Sequence, residues 1–289
     1  MTLIEGYVVL YKWYLWMVKG CEHPEDGVIA YPRYSVRTGS RIKDLRRAME
    51  YAEKLGVIRY YECLKESLPI LPLNSIELVL DPFNRTQWPR LPNSTVKFLE
   101  NLGIAEHEDV GLTGSYLAST VITGIKPRDI DIIIRNRDLG ETLYEKLKLL
   151  RASGVAKPVG VVDEFYGTDP GSRLKLLRHR VLEGVFNGII YSIRILSCKE
   201  RAKPRCIKKA KLVTDQLTIV EHISPYVMPY TYIAEGEELG TVNVRSLRMR
   251  YSEIPLHTRL SIANCRLEYY MDGGYSLSLD NRECRVRVL

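Results

Sequence analysis

The stretch Asp109-Val-Gly-Leu-Thr-Gly-Ser-Tyr-Leu-Ala118, followed by Arg128-Asp-Ile-Asp-Ile-Ile-Ile-Arg135, decides how this chain is read. The segment ending at Thr113 is short and apolar enough for a buried strand, and Gly114-Ser115 then open a helix start at Tyr116. Backbone N–H groups at Gly114 and Ser115, with the Ser115 hydroxyl, are suited to hold a phosphate. In the second run alternate side chains share a face, so Asp129 and Asp131 project together while Ile130 and Ile132 project oppositely. Two carboxylates so placed repel each other unless a divalent cation keeps both ionised. Magnesium, an oxygen-liganded ion that bridges protein carboxylates and substrate phosphates, is the expected occupant, and nucleotidyl transfer the expected reaction. The plainer alternative is that Gly114 ends a strand and the two aspartates cap a sheet edge.

A strand, a Gly-Ser turn and an Asp-x-Asp strand at this spacing resemble the signature of the DNA polymerase β-like nucleotidyltransferase superfamily. The resemblance extends to archaeal proteins that carry such a domain between two other segments. It rests on Val18-Lys-Gly-Cys-Glu-His-Pro-Glu-Asp-Gly-Val-Ile-Ala-Tyr-Pro-Arg-Tyr34 near the start, and on Ser246-Leu-Arg-Met-Arg-Tyr-Ser-Glu253 with Leu267-Glu268 near the end. It implies a small mixed-sheet α/β nucleotidyltransferase core, metal at Asp129 and Asp131, and a nucleoside triphosphate at Gly114 and Ser115.

One departure from that pattern matters. A third carboxylate, which would allow a second magnesium, usually comes from a later strand, and the candidate here is Ile189-Ile-Tyr-Ser-Ile-Arg-Ile-Leu196. Ser192 stands about where the acid is expected, and a neutral hydroxyl is a poor metal ligand. Asp163 and Glu164 are the nearest alternative acids, though a solvated turn is their commoner use. The alternative function is therefore a nucleotide- or RNA-binding module on the same scaffold, impaired in turnover.

With 289 residues, 45% apolar and 27% charged, the chain is long enough for two or three domains and ordinary for a globular protein. Its net charge of +7 favours an anionic partner such as a nucleotide, RNA or other nucleic acid. The apolar stretch from Gly6 to Val18 falls short of the roughly 20 residues that span a bilayer and lacks a signal-peptide layout. A paired strand, no membrane partner and a cytoplasmic location are expected. The six cysteines form no Cys-x-x-Cys pair, so free thiols are the default, with disulfides open to a hyperthermophile.

The fold expected is multi-domain α+β. Residues 1–92 read as an α+β domain with a helix from Ile42 to Leu55, whose Leu45, Ala48, Met49, Ala52 and Leu55 repeat at helical spacing. The proline-rich stretch from Asp81 to Asn93 reads as an interdomain connection. Residues 93–198 form the nucleotidyltransferase domain, with Ser94 as an N-cap. Residues 199–289 join a basic linker to an antiparallel, barrel-like β domain. The linker, Lys199 to Lys211, carries seven positive side chains, which Arg173, Lys175, Arg178 and Arg180 extend; a solvated face is its plainer reading, since no aromatic-interleaved pattern accompanies it. His23 reads as part of a His-Pro bend. Arg33, Arg248, Arg250 and Glu253 either line a cleft that grips triphosphate or form an ion-pair network.

Overall fold

A computed structural model describes residues 2–42, 44–160 and 167–289. The protein is of mixed α+β class, mostly strand, with three sheets and few helices. It divides into two compact units, one of Met1–Leu143 with Phe186–Pro204, the other of Tyr144–Val185 with Arg205–Leu289. These cut the chain differently from the three sequence stretches, because the first two of those share a core. A Cβ on Gly6 would fall 2.5 Å from Ile133 Cδ1, and the Thr113 hydroxyl donates to the Gly6 carbonyl at 2.5 Å. The stretch expected as a connection also lies inside the first unit. There Phe83 is buried, and the Pro82 carbonyl accepts from Leu112 N and Trp88 Nε1.

In the first unit an antiparallel sheet runs in the order Ile58–Tyr61, Glu66–Pro72, Gly27–Ser35, Tyr14–Val18, Val8–Tyr11, Leu78–Leu80. The first hairpin turns at Lys12 and Trp13 with φ of 46° and 68°, the paired left-handed geometry that suits strand twist. No glycine supplies it, and Lys12 N–H donates to Glu77 Oε1 at 2.8 Å, anchoring the strained turn. The expected helix runs over Leu45–Lys54, starting where Asp44 caps the Arg47 amide and burying Ala48, Met49 and Ala52. A second helix, Asn93–Leu102, ends on Gly103 at φ 73°; Ser94 lies inside it and Pro92 stands at the cap position.

The segment that opened the sequence reading folds as Val110–Thr113 antiparallel to Asp129–Ile134, which pairs in parallel with Ile189–Leu196. A five-residue helix, Gly114–Ala118, follows the first of these strands. Phe98 packs on Tyr191 at 4.9 Å between ring centres, which fixes Asn93–Leu102 against this sheet.

In the second unit, Ile207–Ser224 pairs along its first part with Arg259–Tyr270 and along its second with Tyr230–Gly236. Tyr230–Gly236 pairs with Gly240–Ser246, which runs parallel to Tyr275–Ser278, and that strand pairs back with Arg259–Tyr270. The ring closes into a five-stranded barrel of the kind found in OB folds, filled by Leu217, Ile219, Tyr232, Val244, Leu267 and Leu277. Beside it, Arg180 is fully buried on Glu183 and on the Arg250 carbonyl, so it is not part of a basic surface. Glu253 accepts from Val181 and Leu182 amides, and Arg248 pairs with Asp280. Glu253 and Arg180 are thus held by buried contacts, and Arg248 and Asp280 form a part-buried ion pair.

The cysteines depart from the free-thiol expectation. Cys21 is bonded to Cys198 and Cys265 to Cys284, and no described cysteine is free. A separation of 177 residues hides the first pair from any reading of spacing. Disulfides persist in oxidising compartments and inside hyperthermophile cells, so a cytoplasmic location would rest on the second case. Among the described residues no helix is long and apolar enough to cross a membrane.

Candidate active site

Asp131 is the centre of the arrangement. Its Cα partners are Thr113 on one neighbouring strand and Ser192 on the other. Directly paired residues share a face, so Ser192 Oγ reaches Asp131 Oδ1 and donates to it at 2.6 Å. Ser192, read from sequence as standing about where a third acid is expected, is thus a hydrogen-bond partner of Asp131. Gly114 lies on the other side with φ +66°, and a Cβ there would collide with Asp131 Oδ2. The Asp131 carboxylate thus fills the side of this glycine that a Cβ would take.

Asp129, two residues earlier on the same face, is held less firmly. Ser115 Oγ donates to its Oδ1 at 3.4 Å, a long bond. Burial pushes the Asp129 carboxyl above its usual range, Asp131 adds to the rise, and Arg41 opposes it. Two serines therefore serve two carboxylates, and the four side chains form one polar cluster. The helix that Gly114 and Ser115 open has a single turn, so its dipole adds little for an anion.

The first unit brings further groups to this cluster that spacing alone did not join to it. Tyr34, next to last in the long strand Gly27–Ser35, is 5% exposed and shares a core cluster with Leu117 and Ala118 of the short helix. Burial raises its phenol pKa, with Asp131 and Asp129 adding to the rise and Arg41 and Arg33 opposing it. Arg41 bridges back to Tyr34 across the Ser35–Ser40 turn and is exposed, whereas Arg33 donates to the Ile42 carbonyl at 2.9 Å. The Tyr-x-Arg-Tyr run at 31–34 was the sequence signal. Arg41 carried none, because only the turn after Ser35 returns it to Tyr34.

Elsewhere the sequence candidates are structural. His23 is buried, accepts from Ile29 N at 3.3 Å through Nδ1, and is pushed down to about 4, chiefly by burial and then by Arg201. Four of the seven linker cations are engaged: Lys199 with Asp109, Arg201 with the Gly27 carbonyl, Lys203 with Glu25 and Arg205 with Asp272. Asp163 and Glu164 lie outside the described residues. Among the described residues, no group of three or more His, Cys, Asp or Glu side chains gathers as a metal set.

No family model matches the sequence, and no curated protein matches it. Among solved structures, the crystal structure of the tetrameric p202 HIN2 is similar over 37% of this chain and 61% of that chain, at 10% identity and a TM-score of 0.24, a level that speaks to neither fold nor function.

Proposed function

We propose that this chain is a magnesium-dependent nucleotidyltransferase of the DNA polymerase β-like kind, moving a nucleoside monophosphate from a triphosphate to an acceptor hydroxyl. The observation that carries the reading is the half-buried pair Asp129 and Asp131 on one strand face, with the Asp129 carboxyl raised and weakly bonded. Two half-buried carboxylates, of which Asp131 raises Asp129, are the donor chemistry a hard divalent cation takes.

In this reading Asp129 and Asp131 hold the ion and Ser192 orients Asp131. Ser115 and the Gly114–Ser115 backbone contact the phosphates. Magnesium, when bound, neutralises charge on the transferred phosphoryl group. Arg41 supplies positive charge beside Asp129, where an incoming triphosphate adds negative charge. Tyr34 bridges to Arg41 across the turn that follows the strand. The test is incubation with labelled nucleoside triphosphates and magnesium. Label transfer that disappears in Asp129→Asn while circular dichroism shows the fold retained supports the enzyme; transfer that survives in the Asp129→Asn, Asp131→Asn double variant refutes the assignment.

A second reading has its own observation. Ser192, which the sequence sets about where a third acid is expected, spends its hydroxyl on Asp131, and a neutral hydroxyl so engaged favours a nucleotide-binding module without turnover. Nucleotide binding that persists without metal and yields no product would select it.

A further inference from the structure

The first strand of the barrel carries positive charge that the chain leaves exposed. Lys208, Lys209 and Lys211 are all exposed at its start. Nearby acids are engaged elsewhere, Asp272 by Arg205 and Glu268 by Arg266. Lys209 faces Tyr269 on the adjacent strand, and Tyr269 faces Tyr275 on the next. Directly paired residues share a face, so Lys209, Tyr269 and Tyr275 form one row across three strands, with Lys211 two residues farther along the same face.

The aromatic part of the row is ordered and accessible. The two tyrosine rings sit 5.8 Å apart at 38°, and Tyr275 is 43% exposed. Its hydroxyl donates to the Thr241 carbonyl at 3.1 Å, which pins the ring and leaves a face to solvent. Past it the Tyr270–Gly274 turn exposes Met271, 68% accessible. These residues continue the inward face of the barrel strands beyond Leu267 and Leu277, where the core ends. A row buried in the core would need no lysine, and a merely solvated edge would have no use for a fixed, half-open tyrosine.

We propose that this row binds single-stranded nucleic acid, with bases stacked on Tyr275 and Tyr269 and phosphates paired with Lys209 and Lys211. Every base offers a π face to a tyrosine, and lysines gain affinity by releasing counterions from the strand. Two lysines at alternate strand positions stand about 7 Å apart, near the phosphate step of an extended strand. A duplex hides its base faces in its own stack, so the row discriminates against it. The proposal does not depend on nucleotidyl transfer in the other unit.

The test is fluorescence anisotropy of the full chain with labelled oligo-dT and oligo-rU of about 12 nucleotides, a length suited to one such barrel. The expected result is binding to single strands with clearly weaker binding to a duplex of equal length; oligo-dU, which differs from oligo-rU in the sugar alone, tells whether the 2′-hydroxyl is read. Tyr275→Ala should weaken binding about five- to a hundred-fold, and Tyr275→Phe should restore most of it. The Lys209→Ala, Lys211→Ala pair should lower the salt slope by about 1.4, since each phosphate contact contributes about 0.7 on a single strand. Melting temperatures of the variants should match the parent. Equal binding to duplex, an unchanged Kd in Tyr275→Ala, or no binding to either probe would overturn the proposal.

Discussion

Placing alanine at position 114 strikes two features of the candidate site at once. The backbone there has φ +66°, and holding a residue with a side chain in that left-handed region costs about 1–2 kcal/mol. The new Cβ would also collide with Asp131 Oδ2, so the carboxylate must turn away and surrender its 2.6 Å bond from Ser192. A hydrogen bond to a charged group is worth about 1.5–3 kcal/mol, and Asp131 is only partly buried, so the lower end applies. Gly114→Ala should therefore destabilise the protein by about 3 kcal/mol in urea unfolding. The reasoning is tested by a double-mutant cycle with Asp131→Ala, in which the collision and the bond are both absent. On that background Gly114→Ala should cost only the backbone share, leaving a coupling of about 1.5 kcal/mol. Additive costs, within about 0.5 kcal/mol, would show that Gly114 and Asp131 do not share the space assigned to them.

Three further outcomes follow from the same geometry. Because the Asp129 carboxyl is raised, cation binding must displace a proton below that pKa, so magnesium affinity by calorimetry should strengthen as pH rises through it; a flat profile between roughly pH 4 and 8 would discount the raised group. Ser192→Ala should cost about 1.5 kcal/mol and weaken magnesium binding while leaving the sheet intact by circular dichroism; unchanged stability and affinity would remove Ser192 from the site. His23, depressed from 6.5 to about 4, must gain a proton on unfolding in mild acid; its share of stability is whole above 6.5 and is lost as pH falls towards 4, about 3 kcal/mol in all. His23→Asn, which keeps an acceptor for Ile29, should flatten that slope in acid titrations, and an unaltered slope would assign it to other groups.

Much of the candidate site was legible because strands impose a fixed alternation. Asp129 and Asp131 were bound to share a face, and a parallel neighbour was bound to set one residue of Ile189–Leu196 beside Asp131. What alternation cannot give is who fills a space. Gly114 reads from sequence as a close approach for a phosphate, and its absent side chain also makes room for Asp131, which no pattern along the strand announces. The cysteine pairs, Arg41, and the alignment of Lys209 with Tyr269 and Tyr275 depend on contacts far apart in sequence or on cross-strand register. The linker shows the cost of reading charge by count: four of its seven cations are engaged, and the aromatic partners missing from its own sequence stand on two later strands. The unit boundaries were hidden for a related reason, since prolines mark turns whether or not a domain ends there, and Pro82 braces a core.

The two aspartates are unequal, and this decides how the site should be probed. Asp131 packs on Gly114 and accepts a short bond from Ser192, so it helps build the strand–turn–helix as well as offering charge. Replacing it disturbs the scaffold, and lost activity in such a variant would not separate chemistry from folding. Asp129 accepts only a long bond from Ser115, and its ionised form is opposed by burial and by Asp131. A raised carboxyl contributes stability only while protonated, and that contribution is lost as pH rises through its folded value, so at neutral pH Asp129 is a net burden on the free protein. Asp129→Asn should then hold or raise stability at neutral pH while abolishing magnesium binding and transfer. Loss of transfer together with gained stability is a combination that a purely structural role for Asp129 would not produce, and a destabilised Asp129→Asn would place Asp129 among the groups that hold the fold.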